Sequence, residues 1–446
     1  MLKKITKQIS CIFLFLFLNQ SALSCISNSD NQSGADSYWE TYLDARIKDV
    51  PRGKHFIYVT DTHYGGYDVN QVYYTKSTCK SNYLINYVKS RLNIQNVIFG
   101  GDCFNEAPSK ELASNLLSSY ANEFYNLFGK NGVWVQGNHD ANSTGKKVNL
   151  SGVFEDYIIP DEEVYNRTVK NIEDKIYFDT EGIANLSTLN LSASDMKEAT
   201  AWFKMHYWYD DTKNKIRYVI LETGDNGYAM NKVFGINGNT GEAQFRAVYL
   251  QTDFLYKAMK TCPAGYTIVV VGHMFDESHV QYNIGFLYYL YRNKLSQNLS
   301  WNRYNVRLSP KILEFLHNLH SGNDTYIYDF SDLKIPNEVL ILGGHWHADY
   351  NALYQISHID SNGTPFGEYM EWDNAVVRQT GQPIIVSRNR DAYGNLAMTD
   401  WLPWMPQMAQ GTITENSFDV VTIKEDKTIA FTRFGAGTDL VLPANK

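Results

Sequence analysis

The chain has little cysteine, no basic excess and no apolar run long enough to span a bilayer. Five of its 446 residues are Cys, and none stands in a CxxC pair or a Cys/His zinc spacing. A thiolate zinc site of that kind is therefore excluded. Beyond Cys25 only Cys79, Cys103 and Cys262 remain, so these thiols cannot all pair internally. An exported protein can carry one disulfide between two of them, and nothing in the sequence selects the pair. Lys and Arg number 40 against 48 Asp and Glu, a net charge of −8. The first 24 residues hold Lys3, Lys4 and Lys7 and no acid, so a chain beginning at Cys25 carries 37 basic against 48 acidic side chains, or −11. Non-specific nucleic-acid binding needs clustered Lys and Arg to neutralise phosphates, so no nucleic-acid partner is expected. The run "CIFLFLFL" at 11–18 is too short for a membrane span and is broken by Asn19 and Gln20. Hydrophobic content of 44% supplies a sizeable core, in two or three domains or one large α/β unit.

The apolar run has another use. Three lysines precede it and small residues follow in "NQSALSC", the layout of a signal peptide over residues 1–24. Ala22-Leu23-Ser24 before Cys25 resembles a bacterial lipoprotein cleavage box, although leucine usually sits one place earlier. In that reading Cys25 is lipidated and residues 25–36 form a polar tether from the membrane. The other reading is a plain secretory peptide with an incidental cysteine. Both predict an exported protein of the cell envelope, and only the first gives it a membrane contact, through the lipid on Cys25.

What the chain has is one pattern repeated five times. "HFIYVTDTH" ends in Asp61-Thr62-His63, "NVIFGGD" in Gly101-Asp102, and "GVWVQGNHD" in Gly137 to Asp140. "YTIVVVGH" ends in Gly272-His273 and "VLILGGHWH" in Gly344-His345-Trp346-His347. Each is a short Val-, Ile-, Phe- or Tyr-rich run, read as a strand buried on both faces. Each delivers Asp, Asn or His at its C-terminal end, four of them through a glycine that permits a tight turn or close approach. Helical segments lie between. Residues 77–93 put Leu84, Tyr87, Val88 and Leu92 on one face, and 109–129 put Leu112, Leu116, Phe124, Leu127 and Phe128 inward before Gly129 stops the helix. Residues 241–260, and 309–320 with Ser309 as cap and Pro310 in the first turn, complete the set. Strands alternating with helices predict α/β layers, whose ligand sites lie beyond the carboxyl ends of the strands.

A single Asp-Thr-His or Gly-His is more often a capped turn than a site. Together the five strand ends offer Asp61, His63, Asp102, Asn138, His273, His345 and His347, with His139 beside them. Imidazoles, carboxylates and an amide oxygen without thiolates suit Mn, Fe, Zn, Ni or Co. Seven ligands exceed what one ion takes and suit two divalent transition metal ions sharing a carboxylate.

The ordered set DxH, GD, GNHD, GH and GHxH resembles the calcineurin-like metallophosphoesterase family, at 61–63, 101–102, 137–140, 272–273 and 344–347. The resemblance implies a four-layer αββα sandwich, two mixed β-sheets flanked by helices, with a binuclear metal site at the strand C-terminal ends. It implies that Asp61, His63, Asp102 and His347 hold one ion and that Asp102, Asn138, His273 and His345 hold the other, Asp102 bridging. His139 would face the substrate, oriented by Asp140. The implied reaction is hydrolysis of a phosphomonoester or phosphodiester. Two cations ~3.5–4 Å apart clamp the phosphate oxygens, and the hydroxide that they generate attacks phosphorus. His139 would protonate the leaving alkoxide. The partner is then a small phosphorylated substrate. A non-catalytic envelope lipoprotein using the fold to bind a ligand or glycan is the alternative, and the full ligand set with His139 and Asp140 argues against it.

Departures narrow the reading. Purple acid phosphatases carry a tyrosine three residues after the second-motif aspartate; here it is Asn105, against a tyrosinate–ferric site. The 99 residues after His347 are too few for the separate C-terminal domain of the 5′-nucleotidases, and "SFDVVTI" and "TIAFTRF" read as a terminal hairpin. One catalytic domain is expected over 37–446, with insertions near 141–190 and 274–337. The second contains "QYNIGFLYYLYRNK" and "SWNRYNVR", read either as stacking and phosphate-holding groups or as helical packing. His317 and His320 read as a half-exposed helix face, His206 as a strand residue without function, and Arg388 or Arg390 as reaching toward the site. The lipoprotein reading predicts that labelled fatty acid enters the wild type and not Cys25→Ser; equal labelling of both overturns it.

Overall fold

A computed structural model describes residues 33–64, 71–104, 107–143, 157–223, 232–234, 241–274, 284–300, 310–323, 325–344, 349–353, 384–388, 412–414 and 416–444. The leader, Cys25, Asn105, Ser309, His345, His347 and Arg390 lie outside them, as does the "SWNRYNVR" stretch beyond Ser300. No helix among the described residues is long and apolar enough to cross a membrane. The first helix, Ser33–Ile47, begins inside the stretch read as tether.

The five motif runs form strands. In chain order, β1 is Lys54–Val59, β2 Val97–Phe99 and β3 Gly132–Trp134; β4 is Ile176–Phe178, β5 Tyr207–Asp211, β6 Ile216–Ile220 and β7 Thr267–Val271. Then come β8 Ser296–Ser300, β9 Thr325–Asp329, β10 Glu338–Gly343, β11 Asp349–Leu353 and β12 Ile384–Arg388, and finally β13 Phe418–Ile423, β14 Ile429–Phe434 and β15 Leu440–Leu442. One sheet has the order β15-β14-β13-β1-β2-β3 and the other β11-β12-β10-β7-β6-β5-β4. In the first, β1, β2 and β3 run parallel and β13 to β15 antiparallel. In the second, β6, β7, β10 and β12 run parallel, with antiparallel partners at both edges. Both are mixed sheets flanked by helices, as expected. The terminal hairpin is β13 and β14, paired from Phe418 with Phe434 to Ile423 with Ile429.

β2, β3, β7 and β10 are buried along their whole length, because one face meets helices and the other the opposite sheet. Phe56 of β1 meets Tyr218 of β6 edge to face across the two sheets, centroids 5.4 Å apart. Polar ties cross with it. The Asn96 amide donates to Asp211 at 2.6 Å. On the free edge of β3, the Tyr207 hydroxyl accepts from Trp134 N at 3.1 Å and donates to Trp134 O at 2.6 Å. That pair satisfies backbone groups that an edge strand would leave open.

The helix Lys110–Phe128 starts at Ser109, whose hydroxyl accepts from Leu112 N, and stops at Gly129, where φ is +56°. Its inward face is Ala113, Leu116, Leu117, Tyr120, Ala121, Phe124 and Phe128. Leu127 is a correction: it is exposed, since the face lying on Phe99 and Trp134 is set by Tyr120 and Phe124. The insertion near 141–190 supplies β4, an edge strand of the second sheet. In the other, Leu287, Tyr288, Leu290 and Tyr291 of the helix Gly285–Asn293 are buried, so packing accounts for Tyr288 and Tyr291 of that aromatic run. His320 is buried rather than half exposed, its Nε2 3.1 Å from Asp253. Cys103 and Cys262 are free thiols, and Cys79 lies in the helix Gln71–Arg91.

His206, just before β5, is wholly buried against Trp202, centroids 4.1 Å apart, with Phe203 and Phe254 close by. Neither ring nitrogen bonds another described residue, and burial pushes its pKa from 6.5 down to about 3. The unfolded imidazole protonates as pH falls below about 6.5 and the folded one only near 3, so stability is complete above 6.5 and drains away between the two values. His206→Phe removes that dependence. Between pH 7 and pH 4.5 the wild type should lose about 2–3 kcal/mol of urea stability more than the variant. Equal losses would show that His206 has a route to charge in the fold.

Candidate metal centre

The parallel strands of both sheets end at one edge, and the site is built there. Beyond β1 and β2 the chain continues ladder-like pairing into the loops: Asp61 N donates to Gly101 O at 2.9 Å and His63 N to Asp102 O at 3.1 Å. To turn the side chains inward the backbone goes left-handed at three candidate ligands, with φ of +54° at Asp61, +46° at His63 and +57° at Asp102. Each such residue costs about 1–3 kcal/mol and persists only where its surroundings dictate it.

Asp61, Asp102 and His273 bring one ligand atom each to within 4.8 Å of the others, and all three are buried. His273 Nε2 lies 3.0 Å from Asp102 Oδ2 and 3.9 Å from Asp61 Oδ1. The opposite atom of each ligand is held elsewhere. Thr60 Oγ1 donates to Asp61 Oδ2 at 2.7 Å, and His139 N donates to Asp102 Oδ1 at 2.9 Å. His273 Nδ1 pairs with Gly100 O at 2.8 Å; a carbonyl only accepts, so Nδ1 carries a proton and Nε2 is the nitrogen that faces the candidate site. His139 Nε2 stands 3.9 Å from Asp102 Oδ2, its side chain 24% exposed, and its ring meets that of His63 edge to face at 5.3 Å.

Charge concentrates here. Burial opposes ionisation of Asp102, but His273, His139 and His63 around it hold its carboxyl well below the usual range. Burial likewise opposes charge on His273, and Asp102 and Asp61 raise its pKa to about 10. A buried position that stabilises positive charge so strongly is one that a cation fits. Asn138 strengthens the fit. Its side chain is buried, and its Oδ1 accepts no hydrogen bond among the described residues. Buried acceptors are rarely orphaned, and coordination would satisfy this one. Of the expected ligands, Asp61, His63, Asp102, Asn138 and His273 meet at this edge. His345 and His347 lie outside the described residues, but Gly344, just before them, donates its N–H to His273 O at 2.8 Å. A Cβ on Gly344 would stand 2.8 Å from Asp61 Oδ2, so only glycine lets the chain pass so close.

One expectation needs correcting. Asp140 is buried beside His139 but carries no bond to its ring. Asp140 Oδ1 accepts from Cys103 N at 2.7 Å and Oδ2 from Gly137 N at 2.8 Å. Burial first, then Asp102, raises its pKa to about 6. Asn142, with φ +56°, pairs its side chain with both Ala107 N and Ala107 O, at 2.8 and 3.2 Å. Sequence reading missed Thr60, Gly100 and Asn142, whose partners are 41, 173 and 35 positions away or, for Thr60, adjacent. Arg388 closes β12, and Arg390 lies outside the described residues.

No family model matches the sequence, and no curated protein matches it. Solved structures do. A dimetal phosphatase from Danio rerio is 12% identical over 88% of this chain and 99% of its own, with a TM-score of 0.38. A purple acid phosphatase isolated from yellow lupin seeds is 11% identical over 89% of this chain and 55% of its own, TM-score 0.37. PhoD is 11% identical over 89% of this chain and 71% of its own, TM-score 0.39. At those scores the fold rests on the sheet order itself.

Two substitutions probe the centre by metal binding alone. Asn138→Ala should keep the fold and raise the Mn²⁺ concentration for half-occupancy by ~10–100-fold. A Cβ at Gly137 would collide with the amide and carboxylate of Asp102. Gly137→Ala should therefore bind less metal than the wild type after reconstitution, read by elemental analysis. Full occupancy in both variants would remove these residues from the centre.

Proposed function

We propose that this chain is a calcineurin-like metallophosphoesterase, a metal-dependent hydrolase of small phosphomonoesters or phosphodiesters that works outside the cytoplasm. One observation carries the reading: side chains from strand ends of both sheets converge on a buried point that favours positive charge, beside an orphaned amide oxygen. Asp61, His63, Asp102 and His347 would hold one ion, and Asp102, Asn138, His273 and His345 the other. When bound, the ions supply the charge that draws phosphate oxygens and lowers the pKa of water.

The chain's own residues do the rest. Thr60 and Gly100 fix the rotation of Asp61 and His273 and so aim Asp61 Oδ1 and His273 Nε2 at the centre. The Asp102 carboxylate is pinned through Oδ1 by His139 N, which leaves Oδ2 directed at the centre. His139 is the partly exposed member of the group, 3.9 Å from that oxygen. It can therefore meet a substrate at the centre and give a proton to the leaving oxygen. The net negative charge disfavours nucleic acid and favours small phosphorylated molecules as substrates. A glycan- or ligand-binding platform would have no use for a proton donor beside a buried bridging carboxylate.

Metal-loaded protein should hydrolyse members of a panel of phosphomonoesters, diesters and nucleotides; no turnover anywhere on the panel defeats the proposal. His139→Ala should keep its metals and lose ~10²–10⁴-fold in rate on alkyl esters. On nitrophenyl esters, whose leaving group needs no proton, the loss should be smaller. Wild-type rates on alkyl esters would remove His139 from the mechanism.

A further inference from the structure

We propose that Asp140 is a positioning residue that clamps the loop bearing Asp102 to the loop bearing Asn138 and His139, and so acts on the metal ligands and not on the His139 proton. This rests on the phosphoesterase reading above. The wholly buried carboxylate uses one oxygen on Cys103 N, directly after Asp102, and the other on Gly137 N, directly before Asn138. One side chain thus spans the two loops at the positions adjoining both ligands. The two loops are close-packed there, since a Cβ on Gly101 would lie 2.8 Å from Gly137 N. The same junction carries the bond from His139 N to Asp102 Oδ1. Farther out, Asn142 joins the same two loops through Ala107, and Ser143 Oγ reaches Asn138 O at 3.3 Å. The spacing of Asp102 from Asn138 is therefore set by a charge-assisted clamp of two N–H donors on one carboxylate.

The clamp needs two acceptors, which separates it from an orienting role. A side chain that orients His139 needs one acceptor for a ring N–H, and asparagine offers one. Facing two backbone donors, asparagine must set its own NH₂ against one of them whichever way it flips. Asp140→Asn should therefore be a severe substitution for metal binding and an indifferent one for leaving-group protonation.

The test has three readings on Asp140→Asn. In metal-free protein, hydrogen exchange at the Cys103 and Gly137 amides should quicken by about 10–100-fold. Mn²⁺ affinity measured calorimetrically should weaken by ~10–100-fold. At saturating Mn²⁺, any residual rate loss should be equal for nitrophenyl and alkyl esters. Wild-type protection of both amides, or a loss confined to alkyl esters as in His139→Ala, overturns the clamp. The first two readings need no turnover, so an inactive wild type would defeat the phosphoesterase reading while exchange and affinity still judge the clamp. If Asp140→Asn does not fold, exchange in the wild type decides: both amides must be among the slowest in their loops, and fast exchange at either overturns the proposal.

Discussion

The hydrogen bond from His273 Nδ1 to Gly100 O joins the two sheets at the edge where the ligands gather. Gly100 leads into the Gly101–Asp102 turn of the first sheet, and His273 is the residue on which Gly344 of the second sheet docks its N–H. Ligands from β1, β2 and β3 face a ligand from β7 only because the sheets hold one register relative to each other at this edge. Farther down, Phe56 on Tyr218 and Asn96 on Asp211 keep the same alignment with apolar area and a buried hydrogen bond. The core thus fixes the angle between the sheets, and the His273 bond converts that angle into the position of an imidazole.

Much of this was legible in the sequence because it is local. A buried strand is a short apolar run, and the residue at its C-terminal end is read directly. β1, β2, β3, β7 and β10, the hairpin of β13 and β14, and the positions of Asp61, Asp102, Asn138 and His273 all follow from that grammar. Leu127 failed for a local reason of another kind: its helical spacing permits burial, and only the sheet beneath decides which apolar stripe is covered. The aromatic run in the helix Gly285–Asn293 was ambiguous on the same ground, and the packing of Tyr288 and Tyr291 decides it.

What was not legible is what connects distant loops. The family resemblance implied the His139 ring as the partner of Asp140; its carboxylate instead bonds Gly137 and Cys103, the latter 37 positions from it. A carboxylate bonded to two backbone amides leaves no mark in the sequence of either partner, since every non-proline residue carries an N–H. The same holds for Gly100, whose contribution to the centre is a carbonyl. Candidate ligands are legible because metals choose side chains, whereas the supports of these side chains are backbone groups that any sequence provides.

That asymmetry explains where the strain sits. Asp61, His63 and Asp102 are left-handed, and together they cost several kcal/mol by the usual estimates. Asp and His enter this region more readily than most residues but still at a cost, so the surroundings must hold all three. Asp61 and His63 are held because their amides are bonded to Gly101 O and Asp102 O, and the Asp102 turn because Asp140 and His139 grip it from the far side. The loops after β1, β2 and β3 therefore support one another in a chain, β1 on β2 and β2 on β3, with β3 the free edge. Strain placed at one end is resisted at the other, and the buried carboxylate of Asp140 ties the loop after β2 to the loop after β3. A centre built this way takes the aim of its candidate ligands from the packing of three adjacent strand ends.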